Sequence, residues 1–589
     1  MRSVVLLAVA AQYLAAQPTD EVVKAVKRAL PVLERSAGEF VAQRSCVSCH
    51  HNILPILMLH MARQRGMEID ESVIAAVEER TFRALRSPTA LDDAIQAVGL
   101  NDPTPNDSFL LMAAGAAGVA RELVPAVYAR RLLGWQRDGH WVTSDFRPPH
   151  SSSVFTATAT AIRAISLFLP EERRAERDAS LNRARQWLLA TPPQSVEDAS
   201  FRVLGLVWAG ASASEIDHAA KDLLAFQLPG GGWPELRGYA ADAYSTGEAL
   251  FALHEAGFVA TSRPWRQGLN FLLSTQAADG TWRIRTRMVS PAQVSPPYFS
   301  TGFPYAKDEY ISYAGSCWAV MALLSALPER PRERKDVNAA EASPWIRTAL
   351  FGTPQELSTL LDSGLDPNTR TDNGTTILMM AVPDREKVRF LLKRGADVKA
   401  RAPNGTGSLT IAAAYRGSAE TLRLLLEAGA DVQPPAGVHS RNTPLLFASL
   451  SGDLENLKLL LARGAEPSAA ALSSAATFGH VDVVQALIAA GASARGTEAS
   501  GINLLHWVVI ADRPDVIPAL IGAGVPLNAT DQNGYTPLMY AASIDFGDTR
   551  SLTALLRAGA DPNIRNNEGR TAREQAHHYG HAALEAALR

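Results

Sequence analysis

A short string returns six times in the C-terminal part of this chain. GADV at 395, GADV at 429, GAEP at 464, GASA at 491, GVPL at 524 and GADP at 559 recur at a period of about 33 residues. Each follows a leucine-rich helix end, as in LRLLLEAG and LKLLLARG. A unit this short cannot close a core of its own. It buries its apolar face only against the units before and after it, so the region must be an elongated stack of several copies.

Between those strings sit Thr443-Pro444-Leu445 and Thr536-Pro537-Leu538, a helix-start signature. Period and signature together resemble the ankyrin repeat, with about seven copies over 344–589, degenerate at 468–496 and at the C-terminal cap. The resemblance implies a protein partner bound along the concave face. The region carries no catalytic constellation: His506, His577, His578 and His581 read as structural or exposed.

A second repeat precedes it. QRDGHW (136–141), QLPGGGW (227–233) and QAADGTW (276–282) are three copies of one turn. Glycine lets the backbone leave the preceding helix, the glutamine amide can bond free backbone groups there, and the tryptophan can cover the turn. Each is followed by a helix with small residues on one face, in TATATAIRAI, YSTGEALFAL and YAGSCWAVMAL. Aligning Ala161, Ala249 and Ala319 makes Thr158, Thr246 and Ser316 equivalent. The turns resemble the QW repeats of squalene cyclases, whose relatives share an α/α toroid of concentric helices. The expected fold is therefore all-α: a terpenoid-cyclase-like toroid over 17–327, a Pro-containing charged linker at 328–343, then the ankyrin solenoid.

The N-terminus adds a location. A basic start, the short apolar run VVLLAVAAQYLAA and small residues before Gln17 read as a secretory signal peptide over 1–16. The expected mature protein is periplasmic or secreted, with no membrane span. At 20% charged residues and a formal net charge of −3, with no Lys/Arg stripe, nucleic-acid binding is not expected.

Soon afterwards comes Cys46-Val47-Ser48-Cys49-His50. In c-type haem attachment two thiols add to the haem vinyl groups and the following histidine ligates iron. Cys46 and Cys49 are the candidate thioethers and His50 the axial ligand, with haem c as the cofactor. Met58, His60 and Met61 are the candidates for the sixth ligand, with Met67 further on. A Cys46–Cys49 disulfide, or zinc with His50, His51 and His60, are the alternatives.

The enzyme motifs of this fold class are missing. The proton-donating Asp-x-Asp-Asp of squalene cyclases is approached only by Ala90-Leu91-Asp92-Asp93, and Gln96 stands where a metal-binding Asp-Asp-x-x-Asp needs its last carboxylate. Cys317 lies in an apolar helix and reads as a buried thiol rather than a prenyltransferase zinc ligand; the thioester Cys-Gly-Glu-Gln is absent. Asp145, His150, Asp242, Tyr244, Tyr305, Asp308 and Tyr310 fall at one end of the toroid, where they form a ligand pocket or where the aromatic insert containing Tyr298, Phe299 and Phe303 plugs the barrel. The expected function is an exported haem c protein for redox or ligand sensing that docks a protein partner. The alternatives are an isoprenoid- or lipid-acting enzyme with Asp242 or Asp308 as acid, and a haem-free scaffold.

Overall fold

A computed structural model describes residues 2–45, 47–97, 102, 104–144, 147–150, 152–258, 262–288, 300–330, 343–433 and 442–589. The principal helices before residue 330 are α1 (Arg2–Gln43), α2 (Leu54–Gln64), α3 (Glu71–Thr81), α4 (Phe109–Ala117), α5 (Leu123–Leu133), α6 (Val154–Phe168), α7 (Arg174–Ala190), α8 (Val196–Trp208), α9 (Ala213–Leu224), α10 (Ala243–Glu255), α11 (Arg263–Thr275) and α12 (Glu309–Leu324). One two-stranded ribbon, Trp233–Pro234 with Ala241–Asp242, sits before α10.

The even-numbered helices touch in cyclic order, α2–α4–α6–α8–α10–α12 and back to α2. The odd-numbered ones lie against them: α1 on α12, α5 and α7 on α6, α9 on α8, α11 on α10. The sequence dictates this sorting. In α12 every residue except Tyr310 is buried, whereas the charged α7 buries only Ser180, Ala184 and Leu188, a single stripe. A helix apolar all round must sit inside; one with a stripe can only cover it.

From Pro344 onward eight antiparallel helix pairs follow among the described residues, from Pro344–Phe351 with Pro354–Asp362 to Ala572–Tyr579 with Ala582–Ala587. That is one more than the sequence count of about seven. Threonine starts several of them. Thr376, Thr443 and Thr536 accept the backbone N–H groups of Met379, Leu446 and Met539 at 3.2, 3.2 and 3.3 Å, and a proline at the first helical position follows the last two threonines.

The stack packs against the ring. Its contacts come mainly from the loops that join the two helices of a pair. Arg130 donates to the carbonyls of Met380 and Val382 at 3.0 and 2.6 Å, and Arg416 N–H donates to Gly134 O at 2.9 Å. Trp135 and Phe478 rings meet at 5.9 Å, Arg137 bonds His480 at 2.8 Å, and Arg287 exchanges bonds with the Asp545 backbone. Arg285 donates to Tyr579 O at 2.5 Å. Except for Arg130, on the last turn of α5, these ring residues belong to the turns that enter the inner helices, so this part of the stack lies at the end of the ring where those helices begin. Among the described residues no helix is long and apolar enough to cross a membrane. Most of the expected linker, 331–342, lies outside the described residues.

Candidate functional site

The three tryptophan turns hold the ring's entrance in one geometry. Gln136, Gln227 and Gln276 each donate through Nε2 to the carbonyl of their own turn's glycine, Gly139, Gly231 and Gly280, at 3.3, 2.7 and 2.9 Å. The same amide reaches the next outer helix or its start: Ser180 O, Pro264 O and Ala25 O at 2.9, 2.8 and 2.9 Å. The third bond returns to α1, so the last turn clasps the first helix. Trp141, Trp233 and Trp282 donate ring N–H to Leu132, Leu223 and Leu272 O at 2.7, 2.9 and 3.0 Å. Their backbone N–H groups donate to Thr158, Thr246 and Ser316 hydroxyls at 3.1, 2.9 and 3.1 Å. The equivalence read from sequence is thus a repeated hydrogen bond.

Inside this frame, the amino ends of the inner helices bring imidazoles and phenols together. His50 and His51 lie in the helical turn Cys49–Ile53 that leads into α2. His51 is fully committed: its ring stacks between Phe40 (4.9 Å) and Tyr313 (3.9 Å), and Nε2 lies 3.2 Å from Ser36 Oγ. Burial lowers it to about 3. His50 meets Phe40 at 6.0 Å, Tyr310 at 5.9 Å and His150 at 6.4 Å between ring centroids. Burial holds it well below its ordinary value, and His51, Arg147 and His150 push the same way.

Behind His150 runs a polar chain. Its Nδ1 lies 3.1 Å from Tyr244 OH, which donates to Glu197 Oε2 at 3.0 Å; Thr156 donates to Glu197 Oε1 at 2.5 Å. Burial pushes Glu197 up to about 7. Glu248 of α10 is buried beside it. Burial first, then Glu197 and Asp242, raise Glu248 well above the carboxylate range, favouring the neutral acid. Glu235 pairs with Arg287 at the ring's entrance. Sequence reading missed Glu197, Glu248, Glu235 and Arg287. A glutamate inside YSTGEALFAL was the available signal, since a charged residue in a helix buried all round needs a partner.

The other expected site residues divide. Cys46, Asp145, Tyr298 and Phe299 lie outside the described residues, as does the side chain of Cys49. Asp242 caps α10 by accepting Ser245 N–H at 2.8 Å, and Asp308 accepts Arg283 and Thr286 N–H at 3.2 and 3.1 Å. Both therefore carry structural bonds. Tyr310 OH lies 2.8 Å from Thr286 Oγ1, with its ring facing His50. Tyr305 OH lies 2.7 Å from Thr281 Oγ1, and Phe303 packs on Tyr313 at 5.3 Å, so the described part of the aromatic insert fills space rather than leaving a pocket. His60 is held by Glu78 of α3 at 2.6 Å; Met58 is buried and Met61 half-buried. Burial raises the Cys317 thiol, beside Tyr313. Asp92 and Gln96, the near-miss of the enzyme motifs, bind the first hairpins of the stack: Asp92 accepts Asn373 at 2.9 Å and Gln96 donates to Thr375 Oγ1 at 2.7 Å.

The C-terminal part matches known proteins. Family models of ankyrin repeats match residues 345–436 and 472–566, and a single-repeat model matches 440–472. Ankyrin repeat domain-containing protein 63 of Homo sapiens is 34% identical over 152 residues, covering 22% of this chain and 39% of that protein. A putative ankyrin repeat-containing protein of Treponema pallidum (strain Nichols) is 34% identical over 125 residues, covering 21% and 41%. Ankyrin repeat and KH domain-containing protein 1 of Homo sapiens is 40% identical over 96 residues, covering 16% and 4%. This chain thus spans well under half of each of these relatives. The chain is a mostly helical protein with C-terminal ankyrin repeats.

Proposed function

We propose that the ring of helices is an α/α toroid of the squalene-cyclase-like class carrying covalent haem c at Cys46, Cys49 and His50. In this reading the chain is exported, its 1–16 segment is a signal peptide, and it works in redox or ligand sensing while the ankyrin stack binds a protein. The observation that carries it is the setting of His50: next to the CxxCH thiols in sequence, half-buried, and ringed by Phe40, Tyr310 and His150 at the toroid's entrance. The surroundings suit the group. The aromatic side chains suit a porphyrin face, Arg147 lies within electrostatic reach of His50 and Tyr310 and suits a propionate, and His51 steadies His50 at Nδ1. When bound, haem c supplies a redox-active iron. The chain's part is to fix the imidazole, exclude water with Phe40 and Tyr310, and set the charge nearby.

The test is a pyridine haemochrome spectrum of the full chain exported with cytochrome-maturation machinery. A haem c spectrum lost in Cys46→Ala and Cys49→Ala is expected. A colourless protein from competent machinery refutes the reading. In the lipid-acting alternative the acid is Asp242, which burial first and then Glu235 raise well above the carboxylate range; Asp242 also caps α10, and Asp308 accepts the Thr286 N–H.

A further inference from the structure

We infer that His150 supplies the sixth ligand of the iron that His50 holds; this rests on the haem reading above. The separation of the two rings is the first argument. With a metal–imidazole bond of about 2.0 Å and about 1.15 Å from nitrogen to ring centre, trans imidazoles hold their centroids roughly 6.3 Å apart. His50 and His150 stand at 6.4 Å, with planes turned 66° apart, an angle that rotation about metal–nitrogen bonds permits.

Tautomer is the second. Tyr244 OH donates to Glu197, so its oxygen is left to accept, and His150 Nδ1 at 3.1 Å is the donor. That places the proton on Nδ1 and the lone pair on Nε2. It is the tautomer a metal-ligating histidine adopts when its other nitrogen is held by a polar partner.

The residues nearer in sequence are poorly placed. Along α2, at 1.5 Å per residue, Met58, His60 and Met61 lie about 6, 9 and 10 Å further down the helix than Leu54. His60 is also bonded to Glu78. His150, by contrast, precedes α6 at the same end of the ring as His50.

The experiment uses the full chain matured in the export compartment. Pyridine haemochrome first counts haem c in wild type and in His150→Gly and His150→Met, which separates the cofactor reading from this one. Ferric optical and EPR spectra then read coordination. Wild type is expected to be six-coordinate low-spin with two nitrogens. His150→Gly should keep its haem and turn high-spin, with added imidazole restoring the low-spin spectrum; His150→Met should gain a sulfur-to-iron charge-transfer band. A haem-loaded His150→Gly protein that stays low-spin overturns the assignment. So does a wild-type protein without haem, including one that holds stoichiometric zinc lost in His150→Gly.

Discussion

Gly280 is the residue on which closure of the ring depends most directly. Its φ is +91°, and a Cβ built there would lie inside contact distance of the Arg28 carbonyl, a backbone group that cannot rotate away. Gly257, after α10, shares the conformation at φ +84° but has nothing within 4 Å of a built Cβ. Alanine at Gly257 therefore costs only left-handed strain, about 1–2 kcal/mol. At Gly280 the same strain is joined by overpacking against α1, about 1–3 kcal/mol more. The assay is chemical denaturation followed by tryptophan fluorescence. All but two of the ten tryptophans, Trp345 and Trp507, precede residue 330, so the signal reports the ring. Gly280→Ala should lower the midpoint of that transition clearly further than Gly257→Ala, with α1 amides losing hydrogen-exchange protection only in the former. Equal shifts would refute the claim that the third turn clasps α1.

Thr246→Val removes the acceptor of Trp233 N–H and should destabilise the ring by about 1–3 kcal/mol, with faster exchange at that amide. Asp107→Asn strips Arg131 of a buried partner 2.6 Å away and should cost about 3–5 kcal/mol in the same denaturation assay. Arg130→Met should weaken docking of the stack by about 1.5–3 kcal/mol per lost charged hydrogen bond, read as faster exchange around residues 380–384. Lys387 is fully buried, and burial lowers it to about 7. Between pH 7 and about 10.5 the unfolded chain binds a proton there that the folded chain does not, so stability should rise with pH across that window and level off below it. Lys387→Met should abolish this slope in denaturation midpoints measured at pH 7 and 9.5.

What could be read from sequence was what repeats or lies close along the chain. The three Gln…Trp turns, the Thr158/Thr246/Ser316 equivalence and the Thr-Pro helix starts each involve residues a few turns apart, or copies that can be aligned. What could not be read joins distant segments that look ordinary alone. His50 and His150 are 100 residues apart; Arg130 and Met380 are 250 apart. Nothing in the sequence RRLLGW marks Arg130 as a docking residue. The acids singled out in the sequence have structural bonds for a related reason. Asp92, Asp242 and Asp308 stand at helix starts or loops, where a carboxylate is as useful for backbone N–H groups and neighbouring hairpins as for chemistry. The buried glutamates, Glu197 and Glu248, sit instead on helices chosen by their apolar neighbours.

The docking of the stack has a physical logic of its own. The first helix of each pair is short and ends in a tight loop, leaving carbonyls without intrahelical partners and the negative end of the helix dipole exposed. Stacking helices side by side lines those ends up in a row. The ring answers with arginines: Arg130 on Met380 and Val382, Arg287 on Asp545, Arg285 on Tyr579. Guanidinium suits this role because it keeps its charge when buried and presents several donors in a fixed plane. The row of loops is thereby engaged within the chain, and the first hairpins are held as well, by Asp92 and Gln96.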